Sequence, residues 1–143
     1  AREFLREPGI SVYAEALLAA DSNLVSAMTD ATEGGLATAL HEMAAAAGVG
    51  FQINYEEVPL YPETGRICAE YNLDPFGLIA SGMLIMTVPT VNADELRNKM
   101  RAEGVRCTAI GTVTESSEGL HMSRDGKSSI LPYYAVDELT KIM

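Results

Sequence analysis

Two consecutive glycines open the most regular helix-forming stretch of the chain, and this junction constrains the fold more than any other feature. The polar turn Thr29-Asp30-Ala31-Thr32-Glu33 follows a short apolar run at residues 24–28. Gly34-Gly35 then leads into Leu36, Leu40, Met43, Ala44 and Ala47, which recur at spacings of three and four until Gly48 closes the run. Each glycine gives up about 1 kcal/mol of helix propensity relative to alanine, so the pair needs a physical reason. One is ligand approach: without Cβ atoms, the amides and positive dipole end of a helix N-terminus are open to a phosphate or carboxylate. The other is architectural, with Asp30 or Thr32 as N-cap, Glu33 completing an Asp30-x-x-Glu33 box, and the glycines allowing tight packing on a neighbouring strand. Glu33 weighs against a bare anion hole, because its carboxylate competes with a phosphate unless a cation bridges Asp30 or Glu33 to the ligand.

Around this junction the pattern alternates between helices and strands. Residues 11–20 predict a helix hinged at Pro8-Gly9, and 24–28 a strand that stops at Thr29-Asp30. Residues 49–55 read as a strand with Val49, Phe51 and Ile53 on one face. Pro62 starts a helix running to about Asn72, with Ile67, Cys68 and Tyr71 as its apolar side. Residues 83–88 lack alternation and predict a strand covered on both faces, central in a sheet. Asn92 with Asp94 and Glu95 reads as a capping-box variant before a helix over 93–103 that buries Leu96 and Met100. Strands follow at 105–113, 120–123 and 128–131, the last two joined by an Asp125-Gly126 hairpin, and 136–143 form a short helix. The order predicts an α+β fold, a central mixed β-sheet with helices packed on it.

Charge narrows the function classes. With 10 basic and 20 acidic side chains in 143 residues, the net charge of −10 repels phosphate backbones and anionic membranes, so neither nucleic acid nor membrane is an expected partner. The longest apolar stretch, 76–88, is interrupted by glycines and falls short of the roughly 20 residues a membrane-spanning helix needs. Cys68 and Cys107 stand apart with no C-x-x-C or histidine cluster, so no metal site is indicated; with no signal-peptide pattern, the expected location is the cytoplasm. Ser81, before Gly82, has no evident base and is not in a G-x-S-x-G pattern, so it reads as part of a tight turn lining a cleft. His41 and His121 read as structural or surface histidines, and the two cysteines as inert thiols.

The motifs Pro8-Gly9-Ile10-Ser11-Val12, Asp30-Ala31-Thr32-Glu33-Gly34-Gly35-Leu36-Ala37 and Leu73-Asp74-Pro75 through Leu78-Ile79-Ala80-Ser81-Gly82 occur in an order that spans most of the chain. In that order they resemble the C-terminal domain of the AIR synthase (PurM)-like superfamily, nearest its HypE-like branch. The resemblance implies two-domain, usually dimeric enzymes that use ATP and Mg2+, held mainly by an N-terminal domain, to phosphorylate an amide, carboxylate or similar oxygen. On this basis residues 1–8 are a linker remnant from a missing N-terminal ATP-binding domain, and 9–143 are the C-terminal, substrate-side domain. Carried over by position, Asp30, Thr32, Glu33, Gly34 and Gly35 match the phosphate- or substrate-binding motif, and Ser81 and Gly82 the second turn. No cofactor is expected in this piece alone, which should not turn over ATP, whereas the full-length protein should form a homodimer.

Two departures qualify the expectation. The hydrogenase maturation factors end in a tail whose terminal cysteine carries a carbamoyl group, whereas this chain ends Leu139-Thr140-Lys141-Ile142-Met143; either the tail was removed or this is a relative with other chemistry, and the amphipathic pattern of 136–143 favours a natural end. Glu33 stands where the purine-synthesis cyclo-ligase is expected to have a further glycine, ranking that activity lower. A non-catalytic binding or assembly module that has kept the fold is the alternative from a different class.

Overall fold

Hydrophobic periodicity becomes regular structure most directly at the glycine-opened helix. The computed structural model describes Arg6 and residues 9–143; the expected linker 1–8 and the Pro8 side of the hinge lie, apart from Arg6, outside the described residues. The chain divides into two compact units, each built from two separated segments. One comprises the described residues up to Ala31 with Ser81–Cys107, the other Thr32–Ala80 with Thr108–Met143.

In the first unit, helix α1 (Tyr13–Ser22) ends on Asn23 in the left-handed conformation. It packs with α4 (Ala93–Ala102) around Ala19, Leu96 and Met100, all buried. Strands β1 (Ala27–Ala31) and β3 (Met83–Thr87) pair antiparallel as a two-stranded sheet, with Ala27 opposite Thr87 and Ala31 opposite Met83. The strand expected at 24–28 therefore starts later: Leu24 and Val25 join the α1–α4 core, and Thr29-Asp30 lie within β1 rather than ending it. Nor is β3 central in a sheet. Its missing alternation reflects two covered faces, Met86 and Val88 against the α1–α4 core and Ile85 buried opposite, but says nothing about how many strands flank it. Asn92 makes no side-chain cap; a 3₁₀ turn at Thr90–Asn92 leads into α4 instead.

In the second unit, α2 (Gly35–Ala47) buries Leu36, Leu40, Met43 and Ala44 and ends at Gly48, whose N–H bonds the Ala44 carbonyl at 2.8 Å. Strand β2 (Val49–Asn54) then takes an inner place in a mixed sheet of order β4-β2-β5-β6, with β4 (Gly111–Glu115), β5 (Leu120–Arg124) and β6 (Lys127–Ile130). β2 runs parallel to β5 and antiparallel to β4. The Asp125-Gly126 turn, both residues at positive φ, joins β5 to β6 as expected. The strand expected over 105–113 forms only from Gly111, where β2 offers backbone partners. Helix α3 (Pro62–Tyr71) buries Cys68, but Ile67 and Tyr71 are 49% and 54% exposed, so its inward stripe is narrower than expected.

The α+β class and the mixed sheet are as expected, although the strands are shared between two sheets. Among the described residues no helix is long and apolar enough to cross a membrane.

Candidate functional site

The mouth of α2 is built almost entirely from backbone. Gly34, the N-cap, has φ +75°, and Gly35 has φ +65°. A Cβ at Gly34 would lie 2.5 Å from Thr38 Oγ1 and 2.9 Å from the Tyr134 carbonyl oxygen; at Gly35 it would lie 2.5 and 2.6 Å from the Phe76 and Leu78 carbonyl oxygens. Close backbone approach therefore does explain both glycines, and within the chain the approaching atoms come from residues 76–78, Thr38 and Tyr134, not from a neighbouring strand. The Asp30-x-x-Glu33 box does not cap the helix, whose N-cap is Gly34, a residue with no side chain to cap it. The Gly35 N–H bonds the Thr32 carbonyl at 3.0 Å, and the same oxygen receives the Ala80 N–H at 3.3 Å.

A segment not anticipated from sequence closes the mouth. The Gly34 N–H donates to Asp137 Oδ2 at 2.8 Å, so a carboxylate from the chain's own last residues occupies the place that the helix dipole favours for an anion. Residues 131–143 are held there by several further bonds. His41 Nε2 lies 3.2 and 3.1 Å from the carbonyl oxygens of Leu131 and Pro132; with only acceptors facing it, this nitrogen carries the proton. Thr38 Oγ1 donates to the Tyr134 carbonyl at 3.1 Å, and the Tyr133 ring meets His41 edge-on at 5.3 Å. The Tyr134 ring fills the space a side chain at Gly77 would need.

Beneath this strap the polar groups form a closed network. The Tyr134 hydroxyl donates to Asp74 Oδ2 at 2.6 Å, and Asp74 Oδ1 caps the 3₁₀ turn at Pro75–Gly77 by accepting the Phe76 N–H at 2.9 Å. Glu138, only 4% exposed, accepts the Asp74 N–H at 2.8 Å and the Lys141 ammonium at 2.7 Å. Burial, reinforced by the bond to the Asp74 carboxylate, pushes the Tyr134 phenol well above its ordinary value. Burial pulls the Glu138 carboxyl upward, but the Lys141 ammonium and the Asp74 N–H outweigh it and hold the group below the usual range.

The remaining sequence-selected residues divide by unit. In the first, Asp30 pairs with Leu84, and the exposed Ser81-Gly82 turn leads into Met83 opposite Ala31, so all three lie at one end of the β1–β3 ribbon. In the second, Thr32 and Glu33 are exposed beside the α2 mouth. None of these belongs to a group of three or more His, Cys, Asp or Glu side chains placed to hold a metal ion, and no such group occurs among the described residues. His121 lies half-buried in β5. Burial raises both thiols, Cys68 further through the charges of Asp74 and Glu138, which keeps them protonated and inert.

Missed from sequence were Tyr134, Asp137 and Glu138, and Asp74 was noted only within the Leu73-Asp74-Pro75 motif, with no role assigned. Asp74 before Pro75 and Asp137 two residues before Leu139 carry a local capping signal, but nothing local ties either to α2.

This arrangement, a glycine-opened helix beside a small mixed sheet, defines a known class: residues 6–122 match the family of AIR synthase related proteins, C-terminal domain, and the chain belongs to that family. Among its relatives, the carbamoyl dehydratase HypE of Rhodobacter capsulatus is 37% identical over 97 residues, which is 66% of this chain and 28% of that protein. The crystal structure of E. coli HypE, a hydrogenase maturation protein, superposes with a TM-score of 0.80 at 26% identity, covering 92% of this chain and 42% of that one. A crystal structure of HypE in complex with ATP matches with a TM-score of 0.71 at 26% identity, over 83% of this chain and 38% of that one. The chain thus spans well under half the length of these relatives.

Proposed function

We propose that this chain is the C-terminal, substrate-side part of an ATP-dependent enzyme of the HypE-like branch, one that activates an amide or carboxylate oxygen of its substrate by phosphorylation. The observation that carries the reading is the superposition on HypE together with the Asp30-to-Gly35 and Ser81-Gly82 motifs in their family order. Such chemistry needs positioned phosphates and neutralised charge, not a protein nucleophile. This chain's contribution is backbone at the α2 mouth, with Thr32, Glu33, Gly34 and Gly35, and the ribbon end with Asp30, Ser81 and Gly82. ATP and Mg2+ are assigned to a preceding N-terminal domain, and a homodimer to the complete protein. A phosphate can take the Gly34 N–H only by displacing Asp137.

That same bond favours a second reading, a binding module whose helix mouth is permanently occupied. Isothermal titration of the complete gene product with ATP and magnesium separates the two. Saturable, magnesium-dependent nucleotide binding is expected; a flat titration rejects the enzyme and leaves the module.

A further inference from the structure

Within the second unit, an open cavity of about 400 Å³ lies between residues 72–75, the end of β5 and the C-terminal strap, within the size range of small-ligand sites. Its wall carries two carboxylates, Asp74 and Glu138, and two cations, Arg124 and Lys141. Both carboxylates have donors inside the chain, described above. Arg124 differs. Among the described residues no carboxylate lies within ion-pair distance of it. Glu56, whose carboxyl is lowered chiefly by the Asp125 N–H it accepts at 2.7 Å, feels Arg124 only as a minor influence.

The guanidinium is nevertheless held in place. Its central carbon sits 4.0 Å from the centroid of the Tyr55 ring, which is itself stacked on Phe76 at 4.9 Å and 14°. Cation–π attraction of this kind takes up no hydrogen-bond acceptor, and the five N–H donors of a guanidinium form a rigid planar fork. Lys141 has three donor protons, of which the two Glu138 oxygens can accept two. The four wall charges cancel, so the wall itself adds no net repulsion of an anion to that of a chain of net charge −10.

We propose that this cavity binds an oxyanion group, a carboxylate or a phosphate monoester, in the fork of Arg124 with Lys141 as second donor. The fork matches two oxygens of such a group bidentately. The cavity is distinct from the α2 mouth, although the same strap borders both, and the proposal does not rest on the nucleotide-binding reading.

The test is an NMR titration of the 143-residue chain with sodium acetate and, separately, sodium phosphate, each against sodium chloride at equal ionic strength, following the Arg124 Nε–H and the backbone amides of Asn72, Leu73, Asp74, Glu138 and Lys141, the amides serving as the readout in the variant that lacks Arg124. A saturable shift with either oxyanion and none with chloride is expected. Saturation by acetate alone marks a carboxylate ligand; stronger saturation by phosphate marks a phosphate monoester. Arg124→Gln should weaken the response about tenfold or more, whereas Arg106→Gln should leave it unchanged. Arg124 is exposed, so its replacement leaves the fold intact, which the amide spectrum away from the cavity verifies. A shift that chloride reproduces, no saturation with either probe, or an Arg124→Gln titration equal to the parent's overturns the proposal.

Discussion

Gly35 and Gly48 have nearly the same φ, +65° and +67°, yet very different surroundings. At Gly48 an added Cβ meets nothing within 4 Å, while at Gly35 it runs into two carbonyl oxygens that belong to backbone and cannot swing aside. Gly48→Ala should therefore cost about 1 kcal/mol, the strain of the left-handed conformation alone. Gly35→Ala adds overlap to strain and should cost about 3 kcal/mol or more. Urea unfolding of the two variants measures the difference, and equal costs would show that the loop at residues 76–78 yields. At this scale the sequence was half readable. A paired glycine announces close approach, but not whether a ligand or the chain itself approaches.

The strap after β6 behaves as one element because its polar groups share partners. Glu138 contacts Lys141 and the Asp74 N–H, with Asp137 alongside, and its carboxyl is held below the usual range. A lowered pKa in the folded state gives stability that is present above the unfolded value of about 4.3 and lost as pH falls through the folded value. Glu138→Gln should destabilise the protein at neutral pH, and the gap from the parent should close on acidification below that value. Thermal melts across the acid range read this directly, and a gap independent of pH would assign the loss to packing instead. Elements whose register is local were legible from sequence: α2, β2, the Asp125-Gly126 hairpin, and Leu96 with Met100 on α4. Residues 105–110 were not, because their apolar character suits a strand but the β2–β4 ladder begins at Gly111, with only the Ile110 carbonyl reached beyond it, by the Asn54 N–H at 2.8 Å. Asp137 was not, because its partner Gly34 is 103 positions away and a helix N-terminus leaves no mark on the residue that caps it from such a distance.

For the whole molecule, charge and chain path matter most. Twenty acidic against ten basic side chains make self-repulsion a standing load on the fold. Raising ionic strength from about 0.01 M to 0.15 M shortens the screening length from about 30 to 8 Å and should raise Tm by a few degrees; a fall would mean that attractive pairs such as Lys99–Glu95 and Lys141–Glu138 outweigh the repulsion. The path is interleaved, since each unit is made of two segments that alternate along the chain. β2 is finished at Asn54, yet its partners begin only at Gly111 and Leu120. During synthesis on the ribosome this apolar strand therefore emerges long before either neighbour exists. Until residues 111–124 follow, both edges of that strand stay unpaired, an open template for other chains that the finished sheet removes.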